Sequence, residues 1–257
     1  MSFFEWIAKF LSEYWLSFLS GMGYTIVMSL VGTIVGLIIG LLIAIVRTMP
    51  ESPNANPVVK VFRAIVNFIL NAYVEVIRGT PMMVQALIIH YSLFMPLGMH
   101  PMGSALIIIS VNTGAYMAEI VRGGIISINK GQFEGAMSIG MSHMQTMTHV
   151  ILPQAIRNIM PSIGNEFVVN IKDSSVLSVI AITELLFVSK QAGGAYMKYV
   201  PAYVICAAIY FILTFTTTRI LRFIERKMDG PENYVICGSQ SDPEAEIHVK
   251  KEEPKYD

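Results

Sequence analysis

Two short polar series stand inside otherwise apolar sequence, and they hold most of the residues that could do chemistry. In the first, Asn112, Tyr116 and Glu119 follow one another at offsets of four and three, with Arg122 three residues further on. Residues at these spacings share a helix face. In the second, Glu166, Asn170 and Asp173 repeat the pattern, with Asn165, Lys172, Ser174 and Ser175 beside them. Carboxylates, amides, hydroxyls and an ammonium in this order suit non-covalent recognition of a small polar solute, or else bonds between helices. Ionisable groups inside a membrane are expensive and need a partner or a watery cavity. A helix entering at Ser162 carries Lys172 about 15 Å inward at ~1.5 Å per residue. Asn112 reaches a similar depth when counted from the opposite end of its own helix, whereas Glu119 and Glu166 both lie close to one face. For Glu119 and Arg122 a structural pair and a path lining stand level. For Asn165, Glu166 and Asn170 a substrate path is favoured, because three polar side chains within six residues exceed what one structural bond requires. The Lys172, Asp173, Ser174, Ser175 run predicts a helix irregularity in mid-membrane, where side chains replace lost backbone bonds and can line a cavity.

The elements that position these residues are set by composition. Of 257 residues, 54% are hydrophobic and only 14% charged, which belongs to polytopic membrane proteins and not to soluble domains. The formal net charge is zero, so nothing global argues for nucleic acid. Cys206 lies in an apolar run and Cys237 in a polar one, which makes neither a disulfide nor a zinc framework.

Five spans are expected, over about 21–46, 82–97, 104–127, 162–187 and 201–218, giving an all-α polytopic fold. The first is 26 residues without a formal charge, and Gly32, Gly36 and Gly40 line one face of it where another helix can approach closely. Arg47, Lys60 and Arg63 mark the cytoplasmic side after span one, and Arg219, Arg222, Arg226 and Lys227 mark it after span five. The N-terminus is therefore expected outside and the C-terminus inside. Residues 1–20 form an interfacial amphipathic helix in this reading, with Phe3, Ile7, Phe10, Tyr14 and Phe18 on one side and Glu5, Lys9, Ser12 and Glu13 on another. Residues 58–77 carry Lys60, Arg63, Asn67, Asn71 and Glu75 at spacings of three and four, which favours a helix lying at the cytoplasmic surface. Pro81 then interrupts the helix and biases Thr80 away from helical geometry. Residues 98–103 form an outer turn and 190–200 an outer loop. Residues 229–257 are too poor in large apolar side chains to fold alone and read as a disordered cytoplasmic tail. The body is thus one membrane domain over residues 21–228.

Between spans three and four, residues 131–153 (GQFEGAMSIGMSHMQTMTHVILP) make a moderately polar helical loop on the basic side. No phosphate-binding loop of the form G-x-x-x-x-G-K-[ST] occurs, and the five histidines lack metal-ligand spacing, so no cofactor and no metal are expected on this chain.

Five segments in unbroken order carry a resemblance to a known family. They are Arg78-Gly79-Thr80-Pro81 with Gln85; residues 115–123, reading AYMAEIVRG; the loop with Glu134, Gly135, Ala136, Gly140 and Val150; Leu152-Pro153-Gln154-Ala155; and Asn165 with Lys172-Asp173-Ser174-Ser175 and Glu184-Leu185. Together they resemble the ABC importer permeases of the polar amino acid (histidine, glutamate, glutamine, arginine, opine) class. Gly135 and Val150 depart from the usual Ala and Ile of the loop. The resemblance implies a type I ABC importer permease fold whose loop, through Glu134, Gly135, Ala136 and Gly140, is a coupling helix for an ATPase. It implies two ATPase subunits that use ATP and Mg, a second permease copy or paralogue, an extracellular or periplasmic solute-binding protein, and a multi-pass place in a bacterial inner membrane. The chain itself would not be an enzyme. On this reading Asn112, Tyr116, Glu119, Asn165, Glu166, Asn170 and residues 172–175 serve the substrate path, and Arg78, Thr80, Pro81, Gln85 and Arg122 serve structure or gating. Glutamine or glutamate is the expected substrate, with basic amino acids next because Glu166 is acidic. A small channel or membrane anchor without an ATPase is the reading from a different class.

Overall fold

The computed structural model describes residues 1–49 and 56–229, and among these every regular element is helical. Helix α1 (Phe3–Thr48) starts at a capping box, in which Ser2 Oγ accepts from the Glu5 amide and Glu5 returns a bond to the Ser2 amide. Helix α2 (Pro57–Gly79) begins with proline in its first turn under an Asn56 cap. Helix α3 (Met82–Ile89) continues into a π turn, His90–Phe94. Helix α4 is Pro101–Ser127, and the loop that follows holds α5 (Lys130–Ser138) and α6 (His143–Thr146). After a second π turn comes α7 (Leu152–Asp173), then a 3-10 turn (Ser174–Ile180), α8 (Leu185–Ala195) and α9 (Tyr199–Asp229).

Helices α1 and α4 are the most extensively packed pair, and they run parallel. Gly32 faces Ile109, Gly36 faces Thr113 and Gly40 faces Met117, so both chains advance together. The approach is closest at Gly40, where a Cβ would stand 2.5 Å from the Met117 Cβ. The contact expected from the four-residue glycine repeat is thus present, and its partner is α4. Helix α7 runs the other way, placing Ile159 beside Ala44 and Val121, Asn170 beside Thr33 and Thr113, and Leu177 in one cluster with Met28 and Ile108. Helix α9 returns, with Tyr210 near Glu184 and Leu221 over Gly164. The bundle therefore has one end that carries α5 and α6, the loop end, and an opposite, far end.

Several expected boundaries change. The 20 residues assigned to a separate interfacial helix are continuous with the first span, since α1 is one helix of 46 residues, about 69 Å at ~1.5 Å per residue. Its aromatic stripe faces protein: Phe10 and Phe18 are buried against Leu185, Val188, Ala192 and Ala202 of α8 and α9. The opposite face, with Phe4, Trp15, Leu16 and Leu19, is exposed. The outer loop expected over 190–200 is correspondingly half helix, since α8 extends to Ala195 to meet α1.

Met82–Phe94, within the expected span 82–97, is a short apolar stretch, about 20 Å at ~1.5 Å per residue, less than a ~30 Å core. The end of α2 packs on the bundle before it: Val74 packs with Ile43 and Ala118, and the Tyr73 hydroxyl donates to the Val111 carbonyl at 2.5 Å. Helix α2 is itself long and apolar enough to cross a membrane, as are α1, α4 and α9. The contacts of α2 with the bundle include Leu70, Tyr73 and Val74, while the face with Phe62, Ile65, Phe68 and Ile69 is exposed. Span four also differs: the helix passes through Pro161 without a break, ends at Asp173, and resumes only at Leu185. Residues 50–55 of the first loop and all of the expected tail beyond Asp229, with Cys237 and His248, lie outside the described residues.

Candidate functional site

Two interrupted helices face each other across an open cavity of about 450 Å³ on the side of the bundle. The first interruption is the one that Pro81 predicts. Thr80 closes α2 in an extended conformation (φ −126°, ψ 146°), and Pro81 opens α3. The second is the change from α to 3-10 geometry at Ser174, where the run 172–175 predicts an irregularity; the Ser174 hydroxyl donates to the Ile171 carbonyl at 2.9 Å. Broken helices free backbone carbonyls in mid-bundle, and such backbone is tolerated where it lines a cavity.

The cavity wall carries Arg78, Thr80 and Pro81 from the first break, Asn112 and Tyr116 from α4, and Asp173 from the second. The Arg78 guanidinium sits 5.4 Å from the centre of the Tyr116 ring, a cation over an aromatic face. Asp173 is half-buried on the same wall. Glu166, 4% exposed, lies with Arg78 and Asp173 within electrostatic reach of Tyr116. A cation and a carboxylate lining one small cavity match the two charges of an amino acid zwitterion. Both interruptions also end helices with their C-termini here, and that end of a helix favours a positive ligand group.

Gln85 holds the first break together. Its Nε2 donates to the carbonyls of Ile77 (2.8 Å) and Thr80 (3.0 Å) and to the Thr80 hydroxyl (2.7 Å), while its oxygen accepts from Asn112 Nδ2 at 3.0 Å. Thr80 Oγ1 in turn donates to the Val76 carbonyl.

Other expected path residues lie elsewhere. Asn170 is 3% exposed, and its amide is engaged on both sides: Oδ1 accepts from Thr113 and Nδ2 donates to Thr33, each at 2.9 Å. It ties α7 to α1 and α4, and is not among the residues lining the cavity. Glu119 joins Arg122 on its own helix at 2.9 Å, and also Arg47 of α1 at 2.5 Å, near the loop end. Asn165 and Ser175 are half-buried and Lys172 is exposed, all outside the cavity lining.

Two groups were missed by the residue pattern. Arg47 reads as a topology marker, yet it is the partner of Glu119. Glu184, fully buried, accepts from the amides of Leu186 (2.8 Å) and Phe187 (2.7 Å) and from the Tyr210 hydroxyl (2.7 Å). It caps α8 and ties it to α9. The signal for both was the presence of an ionisable side chain at a span, without anything local to identify the partner.

In the loop, α5 and α6 form an elbow turned by Gly140, whose φ of +87° favours glycine. Ala136 is buried, Glu134 and Gly135 are exposed, and a Cβ on Gly135 would meet nothing within 4 Å. Glu134 lies in mid-helix, and Asn129 caps α5 by accepting from the Gly131 amide. Met137, Ile139 and Met144 are exposed around the elbow, and the Phe133 ring lies tilted against His143, centroids 5.4 Å apart. Carboxylate and apolar side chains together make a surface suited to a groove on another protein.

A nearly all-helical bundle with membrane-length apolar helices, a polar cavity between broken helices and an exposed helical elbow at one end defines a solute permease that is worked from outside itself. Residues 55–230 match the family model described as the binding-protein-dependent transport system inner membrane component, and the chain belongs to that family. It is a membrane permease component of the amino acid ABC importers, not their ATPase, and is not an enzyme itself. It is 37% identical over 167 residues to the glutamine transport system permease protein GlnP of Escherichia coli (strain K12), covering 64% of this chain and 76% of that one. It is 36% identical over 220 residues to the L-cystine transport system permease protein TcyB of Bacillus subtilis (strain 168), covering 84% and 88%. A crystal structure of an amino acid ABC transporter with histidines superposes with a TM-score of 0.73 at 34% identity, over 88% of this chain and 99% of that one.

Proposed function

We propose that this chain carries polar L-amino acids, of the glutamine and glutamate kind, across a bacterial inner membrane along the cavity between its two broken helices. The observation that supports this reading best is the joint presence of Arg78 and Asp173 on one cavity wall. Arg78 takes the α-carboxylate and Asp173 the α-ammonium, with a charge-assisted hydrogen bond at each. The passes that cross the membrane are α1, α2 with α3, α4, α7 with its 3-10 turn, and α9, with the N-terminus outside and the C-terminus inside. Two ATPase subunits sit against the α5–α6 elbow, Glu134 and Ile139 facing them, and a solute-binding protein delivers substrate at the far end. A second copy or a paralogue completes the path. No cofactor is held by this chain, and ATP and Mg act in the ATPase. Nucleotide binding closes the ATPase pair and rocks the elbow, which moves α4 and α7 together; hydrolysis resets them.

Basic amino acids form the second reading, because Glu166, acidic and buried, acts electrostatically on Tyr116 of the cavity wall.

The test is uptake of radiolabelled amino acids by proteoliposomes holding the permease with its ATPase and binding protein. Uptake should require ATP and be strongest for glutamine. Glu134→Ala should abolish most of it while leaving membrane insertion normal. Flux without nucleotide would mean a channel, and unchanged uptake by Glu134→Ala would remove the coupling role.

A further inference from the structure

The hydrogen bonds around Gln85 leave no freedom in which way its amide points. Nε2 meets two backbone carbonyl oxygens, which only accept, and a Thr80 hydroxyl whose hydrogen is already given to Val76. That end of the side chain must be the NH₂. The other end is then an oxygen, and Asn112 can meet it only with its own NH₂. The orientation of one backbone break is thereby passed through two amides to α4. Gln85 and Asn112 are 9% and 7% exposed, so water competes little for these bonds.

Nδ2 gives one of its two hydrogens to Gln85, and Oδ1 of Asn112, a residue that lines the cavity, accepts no hydrogen bond from the described residues. An oxygen of this kind rewards a donor and penalises another acceptor. We propose that Gln85 is a positioning residue that presents Asn112 Oδ1 to the cavity, and that Asn112 thereby selects amino acids whose side chain ends in N–H, an amide or a guanidinium, over those ending in a carboxylate. This rests on the reading of the cavity as the amino acid path. Arg78 and Asp173 bind what all amino acids share; Asn112 reads the side chain. A carboxylate there places lone pairs against lone pairs, and glutamate is disfavoured against glutamine although the two have the same shape.

Purified permease with its ATPase, without the binding protein, is tested by displacement of labelled glutamine with unlabelled glutamine, glutamate and arginine. In the wild type, glutamate should compete about tenfold more weakly than glutamine, the size of one well-placed hydrogen bond lost to an unpaired group. In Gln85→Leu the Asn112 amide can turn over, and the glutamine–glutamate margin should shrink to about threefold or less while glutamine affinity itself changes little. Asn112→Leu should shrink the margin as well, here through a loss of glutamine affinity with glutamate little changed, and the double variant should add nothing to it; Gln85→Glu, which keeps the shape of the side chain, is the variant to read if Gln85→Leu fails to assemble. Equal weakening of all three ligands in Gln85→Leu would show a scaffolding role alone, and an unchanged margin would show no role; either overturns the proposal. Absence of binding by the wild type to any of the three would instead overturn the cavity reading on which the proposal rests.

Discussion

The two sides of the cavity are built differently. On one side α1, α4 and α7 form a block: glycines bring α1 onto α4, Asn170 bonds to both, and Arg47 and Glu119 join the two helices again near the loop end. On the other side α2 and α3 touch that block sparingly, through Val74, Tyr73 and Ala86, and are interrupted where they line the cavity. Most of the exposed large side chains of the second pass are apolar and face away from the protein. Close backbone approach is what holds helices together in lipid, where burial of apolar surface gives little preference. The block has that approach; α2 and α3 have side-chain clasps in its place. The elbow α5–α6 joins α4 to α7, both within the block, so in the proposed coupling force from an ATPase would enter on the block side.

The contrast can be broken most severely at Gly40. Gly40→Val would put side-chain atoms where the Met117 backbone and Cβ stand, and should cost about 3 kcal/mol or more, as overpacking of a close contact does. Loss of monodisperse protein in detergent is the measurement, and a normal thermal transition would deny that the α1–α4 contact is rigid. Asn170→Leu should come next. It leaves Thr33 and Thr113 without their amide partner and should lower stability by about 1–2 kcal/mol, the range for buried polar contacts between membrane helices. Thermal melting read beside substrate displacement separates the two possible roles: a fall in affinity with unchanged melting would return Asn170 to the substrate path. The smallest change in stability is expected on the interrupted side. Thr80→Val removes a hydroxyl bond and one of three acceptors of Gln85, and should shift stability by less than about 1 kcal/mol while lowering uptake severalfold. If Thr80→Val melts the protein as Gly40→Val does, both sides are equally structural and the contrast fails.

Local features were legible in the sequence wherever the physics is local. Pro81 forces the break at Thr80 whatever surrounds it. The four-residue glycine spacing predicts a close helix contact, and the Arg122 partner of Glu119 lies one turn away. The apolar runs of α1, α4 and α9 announce membrane-length helices. What the sequence leaves open depends on neighbours. The polar stripe from Lys60 to Glu75 favours a surface helix, and period alone cannot reveal that Leu70, Tyr73 and Val74 pack against α1 and α4. The stripe Phe3 to Phe18 suits a membrane interface and a helical partner equally, and the presence of α8 decides for the partner.

By itself, then, the sequence determined the apolar lengths, the interruptions at 78–81 and 172–175, the elbow and, through motif order, the family resemblance, because each depends on residues close together along the chain. Only the tertiary structure decided which polar side chains serve the cavity and which hold the block. Asn170 finds its partners 57 and 137 residues away, and Glu119 finds Arg47 at a distance of 72. An amide in an apolar helix must bond to something, but its spacing along the helix says nothing about whether that something is a solute or a neighbouring helix.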